Sequence, residues 1–291
     1  MTTPGPASAP TPGPASAPGF NDMKRVVVTP AGRKRYLEIL VQHLAAQRDA
    51  FDVWILLVNT SVVEDIGFCE RLAARHPDWI ETRYATGSNP GEGSHNIHRF
   101  LNEFCIDPET VYLRLDDDVV YLAPGFVREM FDFRLANPHP FLVYSNIINN
   151  AIVAWIHQKL GNFSYERLSG YDCVDEIGWK DPRFAETLHR AFLEDPTDPK
   201  WEFKEWHATE YERVSINAIS WFGKDLAVEP VDRDEENWFA TWRPKVLERP
   251  NVICGTAICV HFAFFTQREY LESQAPDILE AYAKLAAALT W

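Results

Sequence analysis

Two rhythms of apolar residues alternate along the chain after residue 23. Arg25 to Thr29 is a short β-branched run, Pro30-Ala31-Gly32 a turn, and Arg33 to Gln47 a helix by the spacing of Leu37, Leu40, Val41 and Leu44. Phe51 to Asn59 is almost continuously apolar, as in a strand of a parallel sheet covered on both faces. Glu64 to Arg75 predicts a second helix and Trp79 to Tyr84 a third strand. The loop Gly87 to Gly93 then opens into a helix over His95 to Phe104, and Val111 to Leu115 is the fourth strand. This alternation predicts an α/β fold with a mostly parallel, Rossmann-like sheet flanked by helices. Further on, Pro124 to Ala136 and Asn149 to Leu160 read as helices and Phe141 to Ser145 as a strand. Residues 161–210 carry weak periodicity and read as a functional insertion. Val214 to Phe222 and Val252 to Phe264 read as strands, and Arg268 to Leu289 as a closing helix interrupted near Pro276.

The fourth strand ends in three consecutive carboxylates, Asp116, Asp117 and Asp118, where an apolar run would otherwise continue into Val119. Buried carboxylates are costly unless paired or metal-bound, so the cluster reads as a site for a hard divalent cation, Mg2+ or Mn2+. In an extended Asp-x-Asp the first and third side chains converge while the middle one points elsewhere, which makes Asp116 and Asp118 the ligands. The plain alternative is a solvated acidic turn. In open α/β sheets ligands bind beyond the carboxyl ends of the strands, and that is where these aspartates fall.

Composition narrows the partners. With 291 residues and 46 % hydrophobic content the chain has enough apolar surface for a full core. A net charge of -14 leaves no basic excess for nucleic acid or an anionic membrane, so a phosphate-bearing ligand calls for a bridging cation. Five cysteines, with no Cys-x-x-Cys pair, suggest reduced thiols and a cytoplasmic protein. Residues 1–22 hold a tandem Thr-Pro-Gly-Pro-Ala-Ser-Ala-Pro repeat and read as a disordered tail. No stretch has the run of apolar residues a spanning helix requires, which leaves peripheral membrane contact open.

A first strand leading to a turn, a second ending in Asn59 and a fourth ending in the aspartates together resemble the nucleotide-sugar-binding half of GT-A-fold glycosyltransferases. The runs 31–36, 112–118 and 146–151 look like a group of bacterial glycosyltransferases, and the likeness covers nearly everything after residue 23. It implies a donor-binding half at 23–150 and an acceptor-binding, catalytic half of the same domain at 151–291. Asp117 would face ribose or sugar hydroxyls, and Thr29, Arg33, Arg35 and Asn59 would lie beside the nucleotide. For the arginines a basic helix start is the plain alternative. His95, Asn96 and Arg99 open a helix whose N-terminus could meet the diphosphate. Arg114 either offsets the carboxylates or touches the donor; the first is favoured.

Two more stretches carry chemistry. Transfer with inversion needs a carboxylate to deprotonate the acceptor, and Asp234, Glu235 and Glu236 are the candidates in the C-terminal half. They resemble the acidic motif of inverting polymerase-like families, with Thr241-Trp242-Arg243-Pro244 where those families carry Gln-x-x-Arg-Trp. On the strand Ile258 to Phe264, His261 falls on the face opposite Val260 and Phe262, either as a third metal ligand or as a hydrogen-bonded core histidine. Trp201, Trp206, Tyr211 and Trp221 form an expected sugar-stacking platform or plain core. The reading is a metal-dependent, inverting transferase moving a sugar from a nucleoside-diphosphate donor to a carbohydrate or lipid-linked acceptor. A nucleotidyltransferase acting on a sugar phosphate and a non-catalytic carbohydrate-binding protein are the alternatives.

Overall fold

The computed structural model describes residues 23–89, 93 and 95–290. The tail predicted at 1–22 lies outside the described residues. In chain order the elements are β1 (Lys24–Ala31), α1 (Lys34–Ala45), β2 (Val53–Val58), α2 (Val63–Arg75), β3 (Ile80–Arg83), α3 (Ile97–Phe104), β4 (Thr110–Leu115) and β5 (Val119–Leu122). Then come α4 (Phe126–Ala136), β6 (Val143–Ile148), α5 (Ala151–Leu160), α6 (Pro182–Glu194), β7 (Trp206–Ala208), β8 (Ala218–Phe222), α7 (Gly223–Ala227), α8 (Glu235–Asn237) and α9 (Arg243–Val246). β9 (Asn251–His261), α10 (Phe265–Gln274) and α11 (Pro276–Ala287) close the chain.

The strands form one sheet in the order β3-β2-β1-β4-β8-β6-β9-β5, with β7 also on β9. β3, β2, β1 and β4 are parallel; β8 runs antiparallel between β4 and β6; β9 is parallel to β6 and carries β5 and β7 antiparallel to it. The sheet is therefore mostly parallel and flanked by helices, as the alternation predicts. β1, β2 and β4 are buried on both faces, which is why they read as continuous apolar runs. On one face Leu37, Leu40 and Leu44 of α1 pack with Leu113 and Leu115; on the other Phe100, Leu101 and Trp221 form a second core.

This topology gathers polar chain ends. The carboxyl ends of β1, β2, β4, β6 and β9 lead to Gly32, Asn59, Asp116, Asn149 and His261, and antiparallel β8 begins at the same edge just after Asn217. Because β5 folds straight back onto β9, Val119 pairs with His261 and the Phe262 amide donates to the Asp118 carbonyl at 2.8 Å. Asp118 and His261, 143 positions apart in sequence number, are thus neighbours by register.

One sequence expectation needs correction. Residues 161–210 contain a full helix, α6, capped by Asp181 with Pro182 at its first position. Its buried stripe Phe184, Ala185, Leu188, His189 and Phe192 has helical spacing, but alanine and histidine within it weaken the hydrophobic signal. The closing helix is interrupted at Pro276 as expected, giving α10 and α11, since proline cannot continue the first.

Candidate functional site

Each of the three aspartates has different partners. Asp117 is buried, accepts from the Gly32 amide at 2.9 Å and from Arg33 Nε at 2.9 Å, and so ties the end of β4 to the turn after β1. Burial pushes its carboxyl up despite Arg33. Asp118 directs one oxygen, Oδ2, at Arg33 Nη1 (2.9 Å), Arg268 Nη2 (3.0 Å) and His261 Nε2 (3.4 Å). Burial opposes its charge, but Arg33, His261 and Arg268 outweigh it and hold the Asp118 carboxyl well below the usual range.

His261 is oriented by an unusual residue. Its Nδ1 lies 3.2 Å from the Asn149 carbonyl, which only accepts, so Nδ1 carries the hydrogen and Nε2 turns toward Asp118. Asn149 takes the left-handed conformation, φ 62°, a region that asparagine tolerates better than most side chains. Its own amide donates to the Phe262 carbonyl at 2.9 Å and to Gln267 Oε1 at 3.0 Å. The turn after β6 therefore fixes the histidine at the end of β9.

Asp116 faces the other way. Arg114 Nε donates to its Oδ1 at 2.9 Å, and Asn217 Nδ2 to its Oδ2 at 3.2 Å. Arg114 is buried and continues to Glu235 Oε1 at 3.2 Å, so one guanidinium joins the aspartates to the acidic stretch of the C-terminal half. Glu235 is 7 % exposed and its other oxygen, Oε2, has no partner. Burial pushes its pKa up to about 7; Arg114 acts against this and Asp116 with it.

A cleft of about 500 Å³ opens above this edge, lined by Arg33, Asn59, Asp116, Asp117, Glu235 and Arg268 among others. Of the donor-contact expectations, Arg33, Asn59, Arg114 and Asp117 therefore line it. Thr29 does not: it is fully buried and accepts from Trp54 Nε1 at 2.9 Å, a core contact. Arg35 pairs with Glu272 beside the Tyr36 ring and borders a different groove between α1 and α11. Asn96 is buried, donates to Asn59 and holds the Asn89 amide, so it shapes the loop. His95 lines an adjoining cleft with Arg213 and Glu236. Asp234 is spent as the cap of α8, accepting from the Asn237 amide at 3.2 Å, and Glu236 pairs with Arg213 at 3.0 Å. Of the three, Glu235 is the one with a buried oxygen that has no partner; burial also pushes the Glu236 carboxyl up, against Arg213.

Of the expected aromatic platform, two members are core, while Trp206 and Tyr211 are half-buried. Trp201 and Trp221 are fully buried, and Trp206 donates to the Tyr171 hydroxyl at 2.8 Å. Sequence reasoning missed Arg268, Asn217 and Phe265. Arg268 sits one turn into the helix that follows His261, a cation seven residues past a strand-end histidine; that pattern was the available signal. Phe265 is 71 % exposed at the cleft, a conspicuous position for a large apolar side chain.

Positive charge already meets the donor atoms that do converge: Arg33 and Arg268 hold the Asp118 oxygen that faces His261. A carboxylate oxygen and an imidazole nitrogen aimed at one another are held together by a shared positive charge, either a proton on Nε2 or a metal. Among the described residues no three His, Cys, Asp or Glu side chains converge as a metal site. Asp118 and His261 would supply two ligands to Mg2+ or Mn2+, but both are buried, neither lines the cleft, and the two guanidiniums would first have to move off the shared oxygen. Asp116, expected as a ligand, is engaged by Arg114 and Asn217 instead.

All five cysteines are buried and free, and among the described residues no helix is long and apolar enough to cross a membrane. No protein-family model matches the chain, and no curated protein matches it in sequence. Among solved structures it is similar to the crystal structure of 4-diphosphocytidyl-2C-methyl-D-erythritol synthase, at 13 % identity and a TM-score of 0.45, over 89 % of this chain and 98 % of that one.

Proposed function

We propose that the protein is an inverting glycosyltransferase that takes a sugar from a nucleoside-diphosphate donor and delivers it to a hydroxyl of a carbohydrate or lipid-linked acceptor. The observation that carries this is Glu235, a buried carboxylate with a free oxygen at the cleft and a pKa near 7. A group so poised removes a proton from a hydroxyl efficiently at neutral pH. The acceptor oxygen attacks the anomeric carbon as Glu235 takes its proton, and the bond from that carbon to the diphosphate breaks. Arg33 and Arg268, both lining the cleft, receive the negative charge of the departing diphosphate. Asp118 and His261 would hold Mn2+ or Mg2+ once Arg33 and Arg268 had turned from Asp118 to the diphosphate, and the ion would add charge stabilisation there. Asp117 positions Arg33, and Arg114 positions Glu235.

Nucleotidyl transfer to a sugar phosphate is the second reading, and the position of Arg33 directly after the β1 turn, where a triphosphate would lie, favours it. A phosphate nucleophile is already ionised and has no use for a base of pKa about 7, which puts the weight on a hydroxyl acceptor. The products separate the two. Incubation with a panel of nucleotide sugars should release nucleoside diphosphate; pyrophosphate from a nucleoside triphosphate and a sugar phosphate would replace this reading by the second.

A further inference from the structure

Next to the donor cleft lie two more hollows. Glu235 and Glu236 line both the first cleft and a second of about 520 Å³; Asp232 and Asp234 line both the second and a third of about 440 Å³. Shared walls make the three contiguous, and each has the size of a small-ligand pocket. The floor is the segment 229–242, from Glu229 through α8 into five residues of π-helix, Trp238–Trp242. Such irregular helical turns recur at functional sites.

The third hollow has the chemistry of a sugar site. Trp242 lines it and is 42 % exposed, with its ring 6.4 Å from that of buried Trp238, which backs it. Around it stand Asp232 and Asn237, with Glu229, which pairs with Arg243, and Asp234, whose Oδ1 caps α8; the lone pairs these contacts leave over can accept from hydroxyls. An indole face matches the apolar face of a pyranose, and the carboxylates suit its hydroxyl rim. At the inner end Glu235 Oε2, buried and unpartnered, awaits a donor.

Resting on the proposed transfer reaction, we infer that the acceptor is an extended neutral or amine-bearing oligosaccharide. Its reacting hydroxyl lies at Glu235, and a sugar further along the chain stacks on Trp242. The middle hollow carries Arg213, Arg233 and His95 beside its acids; the outer one is lined by three carboxylates and no basic side chain, with Arg243 pairing with Glu229 and Arg213 lying 3.6 Å from Asp234 behind that lining. A uronate or phosphate-linked chain is therefore disfavoured at the outer end by like-charge repulsion.

Calorimetric titration of the full chain with cellotetraose, maltotetraose, N-acetylchitotetraose and tetragalacturonate, each against its monosaccharide, tests this. At least one neutral tetrasaccharide should bind about tenfold more tightly than its monosaccharide, the scale of one aromatic contact. Trp242→Leu should erase that gain and Trp242→Phe should retain most of it, with melting curves showing both variants folded. The inference is overturned if no neutral tetrasaccharide gains over its monosaccharide, if tetragalacturonate binds best, or if Trp242→Leu leaves the gain intact. It is overturned equally if Trp242→Leu instead abolishes binding to anionic phospholipid vesicles, which would make this face a membrane surface. Nucleotide-sugar hydrolysis by the unaltered protein without acceptor reports separately on the transfer reaction: its absence alongside Trp242-dependent binding removes the reaction and keeps the groove.

Discussion

Asp118 and Glu235 are carboxylates of similar burial at one sheet edge, and their surroundings drive them apart. Asp118 meets two guanidiniums and an imidazole and is held ionised; Glu235 meets one guanidinium, already shared with Asp116, and is pushed up to about 7. Burial raises both; the number of cations each can claim decides the outcome. Two acids whose environments separate their protonation are suited to separate roles, one a fixed charge and the other a proton acceptor.

The largest test of this difference is Glu235→Gln. It should reduce transfer to the acceptor by about 10²–10⁴-fold, the usual contribution of a general base, while nucleotide-sugar binding measured by calorimetry persists. Asp118→Asn strikes the other side by leaving Arg268 without its buried counter-charge and Arg33 with Asp117 alone. Breaking a buried pair in this way costs about 3–5 kcal/mol, readable as a lower denaturation midpoint. Arg114→Met should move the Glu235 titration further upward, so that the midpoint of the pH–rate profile rises by about 1 unit above that of the unaltered protein.

The sign of the pH effects follows from the direction of each shift. Transfer should rise with pH and reach half its plateau near 7, as Glu235 loses its proton. Stability should move the opposite way. Because the folded pKa lies above the unfolded one, the folded chain holds the extra proton, so the contribution of Glu235 is full below about pH 4.5 and is lost as pH rises through 7. Urea denaturation at a series of pH values should show this slope, and Glu235→Gln should flatten it. The smallest effect is expected at Asn149. Asn149→Gly keeps the left-handed turn, whereas Asn149→Ala should cost roughly 1 kcal/mol or more in the same urea experiment.

The Asp118 side of the comparison was largely legible in the sequence, because β1 to β4 are covered on both faces and announce themselves as apolar runs that stop at the aspartates. His261 was legible too, since strand alternation set it apart from Val260 and Phe262. The Glu235 side was only bracketed, to Asp234, Glu235 or Glu236. What separates these three is a helix cap, a pairing with Arg213 and a pairing with Arg114, contacts over sequence distances that no local pattern encodes. Trp201 and Trp221 look from sequence as eligible for a sugar platform as Trp242, and only burial distinguishes them. Arg268 was hidden for the same reason: its partner Asp118 is 150 residues away.

The decisive measurement is nucleoside diphosphate release from a nucleotide-sugar panel, with and without Mn2+, for the unaltered protein and Glu235→Gln side by side. The expected result is Mn2+-stimulated release that a hydroxyl acceptor accelerates in the unaltered protein and not in Glu235→Gln. Equal acceleration in both proteins, or pyrophosphate as the product, would contradict the assignment of Glu235 as the base of a glycosyl transfer.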